Sequence, residues 1–562
     1  MFDKLILRLR AFSGDRRGVA LLLFVILMVP MMLLIGVGID YGHVLSARVR
    51  LQAALDAASL YIASNPTMTA AQAQAYANAY VSANLLAQSD ATLSSPVTVT
   101  IANNTVTVTA TASVNTTFLQ FSGYKTLSAA RGSVATIAQN YLEVALVLDN
   151  TGSMNQMYGN MTGIAGLQAA ATALVTTLAA SDPTGQYVKI SVVPFTANVN
   201  VGTQYANASW IDNSNAANSM SQENIAVPTG TGLVKFASQL ASATGQTSWA
   251  WAGCVRQRAA PYDVLDTAPN AGIPATLFTP YFSPDEPDAA SYNSKTNTYS
   301  DNCGSSSFFN SYLCDSSCIS APGPSQADQQ CVTKYTSNPK TVPSQNLGTF
   351  SGPNSDCTIQ PIMPLTPVNN SAILTEINAM TAQGATVIPA GLMWGWHTIS
   401  PNGPFANGVP YSNTATVKAI ILLTDGFPDI QLSSNYQPPT STTNGFDKSV
   451  YSAYGYGSGP HLNLISVPGG VTLDQPDYNL LLKEIQLCNN IKAVTDAYGN
   501  PGRIIIYTIA FGTVVANSTI SLQALQQCAT DSSHYFYNPT SEELVTTFQQ
   551  IAVGLNALRL SQ

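Results

Sequence analysis

The stretch Tyr141–Gln156, YLEVALVLDNTGSMNQ, decides how the rest of the chain is read. An apolar run from Val144 stops at Asp149, and side-chain oxygens follow at alternate positions: Asp149, Thr151 and Ser153. The run has the length and composition of a strand buried on both faces. Its oxygen-rich end has two explanations. These groups can cap the helix that follows, or they can ligate a hard divalent cation.

Outward from this strand, helices and strands alternate. Gly163–Ala180 reads as an Ala/Leu helix, Val188–Phe195 (VKISVVPF) as a strand, and the region near Ala372–Ala382 as a helix. VKAIILLTDG, Val417–Gly426, is a further strand. A helix near Tyr478–Ala497, the strand RIIIYTIAFG, a short helix near Leu522–Ala529 and a last helix from Ser541 to about Leu555 complete the series. Continuous Val/Ile/Leu strands between helices predict an α/β fold with a parallel sheet covered on both faces. In doubly wound sheets ligands sit beyond the carboxyl ends of the strands. Asp149 and Asp425 both stand at such ends, after VALVL and after IILLT. Asp425-Gly426 alone reads as an ordinary turn. Together the two carboxylates point to Mg²⁺ or another divalent cation such as Mn²⁺.

The chain has 562 residues, enough for two or three domains, and only 9% of them are charged. Its net charge of −8 argues against nucleic acid as a partner. Lys4, Arg8, Arg10, Arg16 and Arg17 crowd the N-terminus ahead of an uncharged apolar run, Gly18–Ile39. That run is long enough for a membrane-spanning helix, with Pro30 expected to kink it. The basic flank predicts a cytoplasmic N-terminus and an exported body. A cleaved signal peptide is the alternative, but no small-x-small cleavage site follows in IDYGHVL. From Asp40 to about Asn65 the pattern stays helical, with a second Ala-rich helix near Ala70–Ala87. VTVTIANNTVTVTATASV then reads as a hairpin.

Eight cysteines lie beyond the apolar run: Cys254, Cys303, Cys314, Cys318, Cys331, Cys357, Cys488 and Cys528. An oxidising compartment and disulfides are the expectation. The interval 198–359, dense in Pro, Gly, Ser, Asn and Asp, holds six of them and reads as an insertion. Cys254 and Cys357 are expected to close it, with the four inner cysteines paired among themselves. Zinc on Cys303, Cys314, Cys318 and Cys331 is the competing reading, though no C-x-x-C pair is present.

LVLDNTGSM resembles the D-x-[ST]-x-S loop of von Willebrand factor A domains, their metal-ion-dependent adhesion site. GATVIPAGL resembles the second loop of that site, and LLTDG the third. The resemblance implies a Rossmann-like domain whose metal ligands are Asp149, Thr151, Ser153, Thr386 and Asp425. Ala385 departs from a usual second glycine. DRRGVALLLFVILMVPMMLLIGVGIDYGHVLSARVRLQAALDAASL resembles the N-terminal segment of TadE/TadG-like proteins of Flp (tight adherence) pilus assembly. PAGL-x-WGW, Pro389–Trp396, and the pattern from Cys488 to Cys528 resemble the TadG type, which implies a Cys488–Cys528 disulfide. Leu23 stands where prepilin-like members carry glutamate, so peptidase processing into a pilin is not expected.

These readings divide the chain into a basic cytoplasmic head (1–17), a transmembrane helix (18–39), a TadE/TadG-like stalk of helices and hairpin (40–139), and an A domain (140–558) interrupted by the insertion 198–359. The expected function is non-enzymatic. It is a single-pass inner-membrane component of pilus assembly, binding an acidic ligand residue of a pilus or secretion protein through the cation. The alternative is an exported or surface adhesin for host or matrix carboxylates. Catalysis has no support: His43, His397, His461 and His534 are scattered, with no nucleophile-and-base pattern around them. His397 is expected to pack between Trp394 and Trp396. The insertion follows VKISVVPF and should emerge beside the cation, as a cap that shapes access to it or offers it a carboxylate such as Asp285, Glu286 or Asp288; a surface ornament is the alternative.

Overall fold

The computed structural model describes residues 17–65, 68–86, 91–102, 105–136, 140–216, 225–227, 230–287, 290–293, 298–301, 303, 311–318, 326–342, 352–357, 359–430, 449–457, 460–462, 465–469, 471, 473, 475–512 and 519–560. They fall into two units, 1–139 with 557–562, and 140–556.

In the first unit, helix α1 (Arg17–Ala63) continues through Pro30 for 47 residues. Its first half carries exposed apolar side chains, among them Phe24, Leu27, Leu34 and Ile35. From Val44 onward one face is buried: Val44, Ala47, Leu51, Ala54, Leu55, Ala58 and Ile62 recur at helical spacing. That face packs with helix α2 (Ala70–Leu86) and an antiparallel sheet. In the sheet β3 (Thr105–Asn115) pairs with β1 (Ala91–Leu93), β2 (Thr98–Ala102) and β4 (Thr126–Thr136). The β2–β3 hairpin is the one expected from the alternating threonines; residues 103–104 of its turn lie outside the described residues.

In the second unit the strand that opened the reading, β5 (Tyr141–Asp149), is central to a six-stranded sheet. It pairs in parallel with β6 (Val188–Phe195) on one side. On the other side it pairs in parallel with β8 (Thr416–Thr424), followed by β9 (Ile504–Phe511) and β10 (Tyr535–Asn538), also parallel. Strand β7 (Met363–Pro367) closes the β6 edge antiparallel. Proline in β7 is acceptable because an edge strand need not donate every ladder bond.

Alternate side chains of β5 go to opposite faces. Leu142, Val144, Leu146 and Leu148 meet α3 (Gly163–Ser181), α5 (Ala372–Ala379) and α9 (Ser541–Leu560). Ala145 and Val147 meet α6 (Ile388–Ile399), α7 (Gln475–Lys492) and α8 (Thr519–Cys528). Apolar residues of the 198–359 interval, including Trp210, Ile211, Phe278 and Phe236 of helix α4 (Leu233–Thr244), join this second cluster.

Helix α6 is buried along its whole length. Pro389 suits its first turn, and glycines bring it down onto the sheet. A Cβ at Gly391 would fall 2.5 Å from the Phe195 ring, and one at Gly395 2.3 Å from Val147. Lys418 on β8 donates to the carbonyl of Ile399 at the helix end and pairs with buried Glu143.

Disulfides join Cys254 to Cys357, Cys488 to Cys528, Cys303 to Cys314 and Cys318 to Cys331. The last two pairs consume the thiolates that a zinc site would have needed.

Candidate metal-binding site

The site is assembled at the carboxyl edge of β5 and β8. Asp149 closes β5, and its Oδ1 accepts the backbone N–H of Thr151 at 2.8 Å, which bends the chain away from the sheet. Its Oδ2 accepts the hydroxyl of Thr424 at 2.6 Å from the end of β8. Ser153 donates to Asp425 Oδ1 at 2.7 Å, and the Thr151 and Ser153 hydroxyls lie 3.0 Å apart. Tyr158 donates to the other oxygen of Asp425 at 2.9 Å. Asp149, Thr151 and Asp425 are buried.

Thr386 comes from a third segment. Gly152 donates to Gly384 O at 3.0 Å, Gln383 to Asn150 O at 2.7 Å, and Asn155 to Ala382 O at 2.9 Å. These bonds stitch the loop after β5 to the loop before α6. Thr386 exchanges both backbone hydrogen bonds with Asp429, each at 2.9 Å. Its hydroxyl stands 4.0 Å from the place a Cβ would take on Gly426.

All five residues singled out from the sequence therefore meet at one edge, and so do two that were not, Thr424 and Tyr158. Thr424 was visible inside LLTDG. Tyr158 carries no local signal, because only tertiary structure brings its small hairpin (Met157–Tyr158 with Met161–Thr162) to Asp425.

Burial raises the Asp149 carboxyl above its usual range, against the hydroxyls of Thr151 and Thr424, which stabilise the anion. Burial, then the neighbouring Asp149 charge, pushes Asp425 up to about 7. Burial and Asp425 likewise raise the Tyr158 hydroxyl. Two buried carboxyls with no cationic side chain bonded to either among the described residues are electrostatically costly, and a bound cation would relieve that cost. Among the described residues no three His, Cys, Asp or Glu side chains converge; the donor set is two carboxylates and three hydroxyls.

The 198–359 interval does begin and end beside this site. Val387 donates to Thr196 O at 3.1 Å, just after β6, and Asn198 donates to Asp356 O at 3.4 Å. Of the carboxylates expected to serve the cation, Asp285 is engaged elsewhere. Asp285 sits in a buried ion pair with Lys334 at 3.0 Å and accepts the N–H groups of Tyr312 and Leu313. Glu286 is buried, and Asp288 lies outside the described residues. Asp356 of the interval, next to Cys357, does approach the loop that carries Thr386, with Oδ1 3.8 Å from the Cβ position of Gly384. Burial pushes its carboxyl up to about 6.

His397 is packed between Phe278 and Trp394, both ring centroids at 5.4 Å, where Trp396 had been expected to form one wall. Burial holds the imidazole well below its ordinary pKa, and it is neutral.

Residues 18–65 match the Tad family of Flp pilus-assembly TadE/G-like proteins. No curated protein matches the chain. Among solved structures, the pilus adhesin SpaC from Lactobacillus rhamnosus GG is similar at 10% identity and TM-score 0.33, over 84% of this chain and 35% of that one. The chain thus spans about a third of the length of that adhesin. The von Willebrand factor domain of the type V pili tip protein Mfa5 from Porphyromonas gingivalis is similar at 13% identity and TM-score 0.30, over 75% and 97%. The PilB minor pilin from Streptococcus sanguinis gives 10%, 0.30, 84% and 79%.

Proposed function

We propose that the chain is a membrane-anchored, non-enzymatic component of Flp (Tad) pilus assembly. In this reading residues 140–558 form a doubly wound von Willebrand factor A domain, which binds an acidic protein partner through Mg²⁺. The observation that carries it is the bond between Ser153 and Asp425, 272 residues apart in sequence. It joins the oxygen-bearing turns at the carboxyl ends of β5 and β8, which pair side by side in the sheet. The sheet order, with one antiparallel edge, supports the A-domain reading, and the Tad match at residues 18–65 supports the pilus role.

The donor set fits a hard divalent cation: every group is an oxygen, and carboxylates and hydroxyls come from three segments. Asp149, Thr151, Ser153, Thr386 and Asp425 would hold Mg²⁺ or Mn²⁺. When bound, the ion supplies a coordination position that a partner's carboxylate completes. The chain's own part is orientation. Thr424 and Tyr158 fix the two carboxylates, and the bonds from Gly152 and Gln383 hold the Thr386 loop in place. The exposed apolar half of α1 acts as the inner-membrane anchor, N-terminus cytoplasmic and body periplasmic.

The test is retention of pilus or secretion components on full-length protein in nanodiscs, with Mg²⁺ or with chelator. A partner held only with Mg²⁺, and lost in Asp149→Ala, is expected. Equal retention with chelator overturns the metal-dependent reading. Adhesion of intact cells to immobilised carboxylates, sensitive to chelator without any pilus defect, would put the adhesin reading in its place.

A further inference from the structure

We propose that residues 117–125, the turn between β3 and β4, form a second membrane contact that lies in the lipid–water interface beside α1. This rests on the reading of Gly18–Ile39 as a bilayer span.

Four contacts fix the turn's level along α1. Gly36 has no Cβ, and one placed there would stand 2.5 Å from Cβ and Cγ of Phe118, so the turn lies directly on the helix. Asp40, the first charge after the apolar run, accepts the N–H groups of Thr117 at 2.8 Å, Phe118 at 2.9 Å and Leu119 at 2.7 Å. Gly36 is one helical turn, about 6 Å, toward the apolar end from Asp40.

Two further contacts give the direction. Gln52 donates to Gly132 O at 3.2 Å, and Ser59 bonds Ser133 at 2.9 Å. Going back along β4 from Ser133 to Thr126 therefore travels down α1 from Ser59 toward Asp40. The hairpin tip points at the apolar half of the helix.

The tip is built to enter an interface. Phe121 is 80% exposed and Tyr124 63%, with Lys125 also exposed and Tyr41 of α1 at 53%. Aromatic rings and a basic side chain at the boundary of a span are what the headgroup region favours. Much of the backbone is already hydrogen-bonded. Besides the Asp40 bonds, Thr116 donates to Lys125 O, Phe121 to Phe118 O, Gly123 to Gln120 O and Tyr124 to Leu119 O. Leaving water therefore strands few peptide groups. Gly123, at φ +91°, makes the reversal that a residue with a side chain would strain.

The experiment places trifluoromethyl-phenylalanine singly at Leu27, Phe121, Tyr124 or Tyr498 in the full chain in nanodiscs. Relaxation of ¹⁹F is read with a spin-labelled lipid and with a water-soluble paramagnetic reagent. Lipid-driven relaxation at 121 and 124, several-fold above that at exposed Tyr498, is the expected result. Lipid-driven relaxation at 27 with water-driven relaxation at 121 and 124 overturns the inference and leaves the span standing. Water-driven relaxation at 27 overturns the span and the inference together. Protection at 121 and 124 from both reagents marks a protein partner in place of lipid, and overturns the inference alone.

Discussion

At the scale of single residues, the oxygens of the site were legible because Asp149, Thr151 and Ser153 form one local pattern. Asp425 ends an apolar strand in the same manner, and Thr386 followed from resemblance alone. Residues whose role depends on distant neighbours left no such trace. Glu484 on α7 is the clearest case. It occupies the inward face with Leu480, Leu481, Leu487 and Cys488, is buried, and neither carboxylate oxygen has a hydrogen-bond partner among the described residues. Burial pushes its carboxyl up to about 8. The folded state thus holds a proton that the unfolded chain releases near its ordinary range, so stability falls as pH rises from that range through about 8. Glu484→Gln should be close to neutral in stability at pH 4.5 and stabilising by on the order of 3 kcal/mol at pH 8.5. Denaturant unfolding at the two pH values checks this; an equal effect at both would refute it. Asp40 gives a second prediction. Asp40→Ala removes the acceptor of three N–H groups and should raise amide exchange at Thr117, Phe118 and Leu119 by a local cost of about 2–4 kcal/mol. Exchange elsewhere in β3 and β4 should change little.

At the scale of elements, long apolar strands and Ala/Leu helices announce themselves through composition and period, and β5, β6, β8 and β9 lie where the sequence places them. The elements that escaped are those whose local chemistry argues against them. Strand β7 contains two prolines and survives only as an edge, while β10 is four residues long. Helix α6 has Pro389 in its first turn and carries two glycines, which weaken a helix in isolation and here permit contact with the sheet. The contact is tight enough to be tested. Gly395→Ala should destabilise the second unit by about 1–3 kcal/mol, even though alanine is the better helix former, because its Cβ would meet Val147. Adding Val147→Ala should recover part of the loss, a coupling that a purely conformational glycine would not display. Thermal unfolding of the single and double variants decides it.

At the scale of the whole molecule, the 198–359 interval is tied to the rest by apolar packing and cross-linked within itself by disulfides. Its aromatic residues complete the cluster over one face of the sheet, which composition alone did not reveal, since Pro, Gly and Ser dominate the interval. The Cys254–Cys357 bond closes a separation of 103 residues and sets Asp356 against the loop that carries Thr386. Loop-closure entropy grows slowly with length, so a closure this long is worth about 4–5 kcal/mol in the chain-entropy picture. Cys254→Ser with Cys357→Ser should therefore lower the unfolding midpoint of the second unit. The Cys488–Cys528 pair, with a separation of 40, should cost somewhat less when removed. The two losses should differ in kind as well as size. Releasing Cys357 frees the chain beside Gly384, so Mg²⁺-dependent partner retention should weaken under conditions where the variant is still folded. Releasing Cys528 unties α8 from α7 on the covered face and should leave retention unchanged. Calorimetry paired with the nanodisc pull-down separates these outcomes, and equal retention by both variants would show that the interval contributes stability without shaping the edge that carries Asp149 and Asp425.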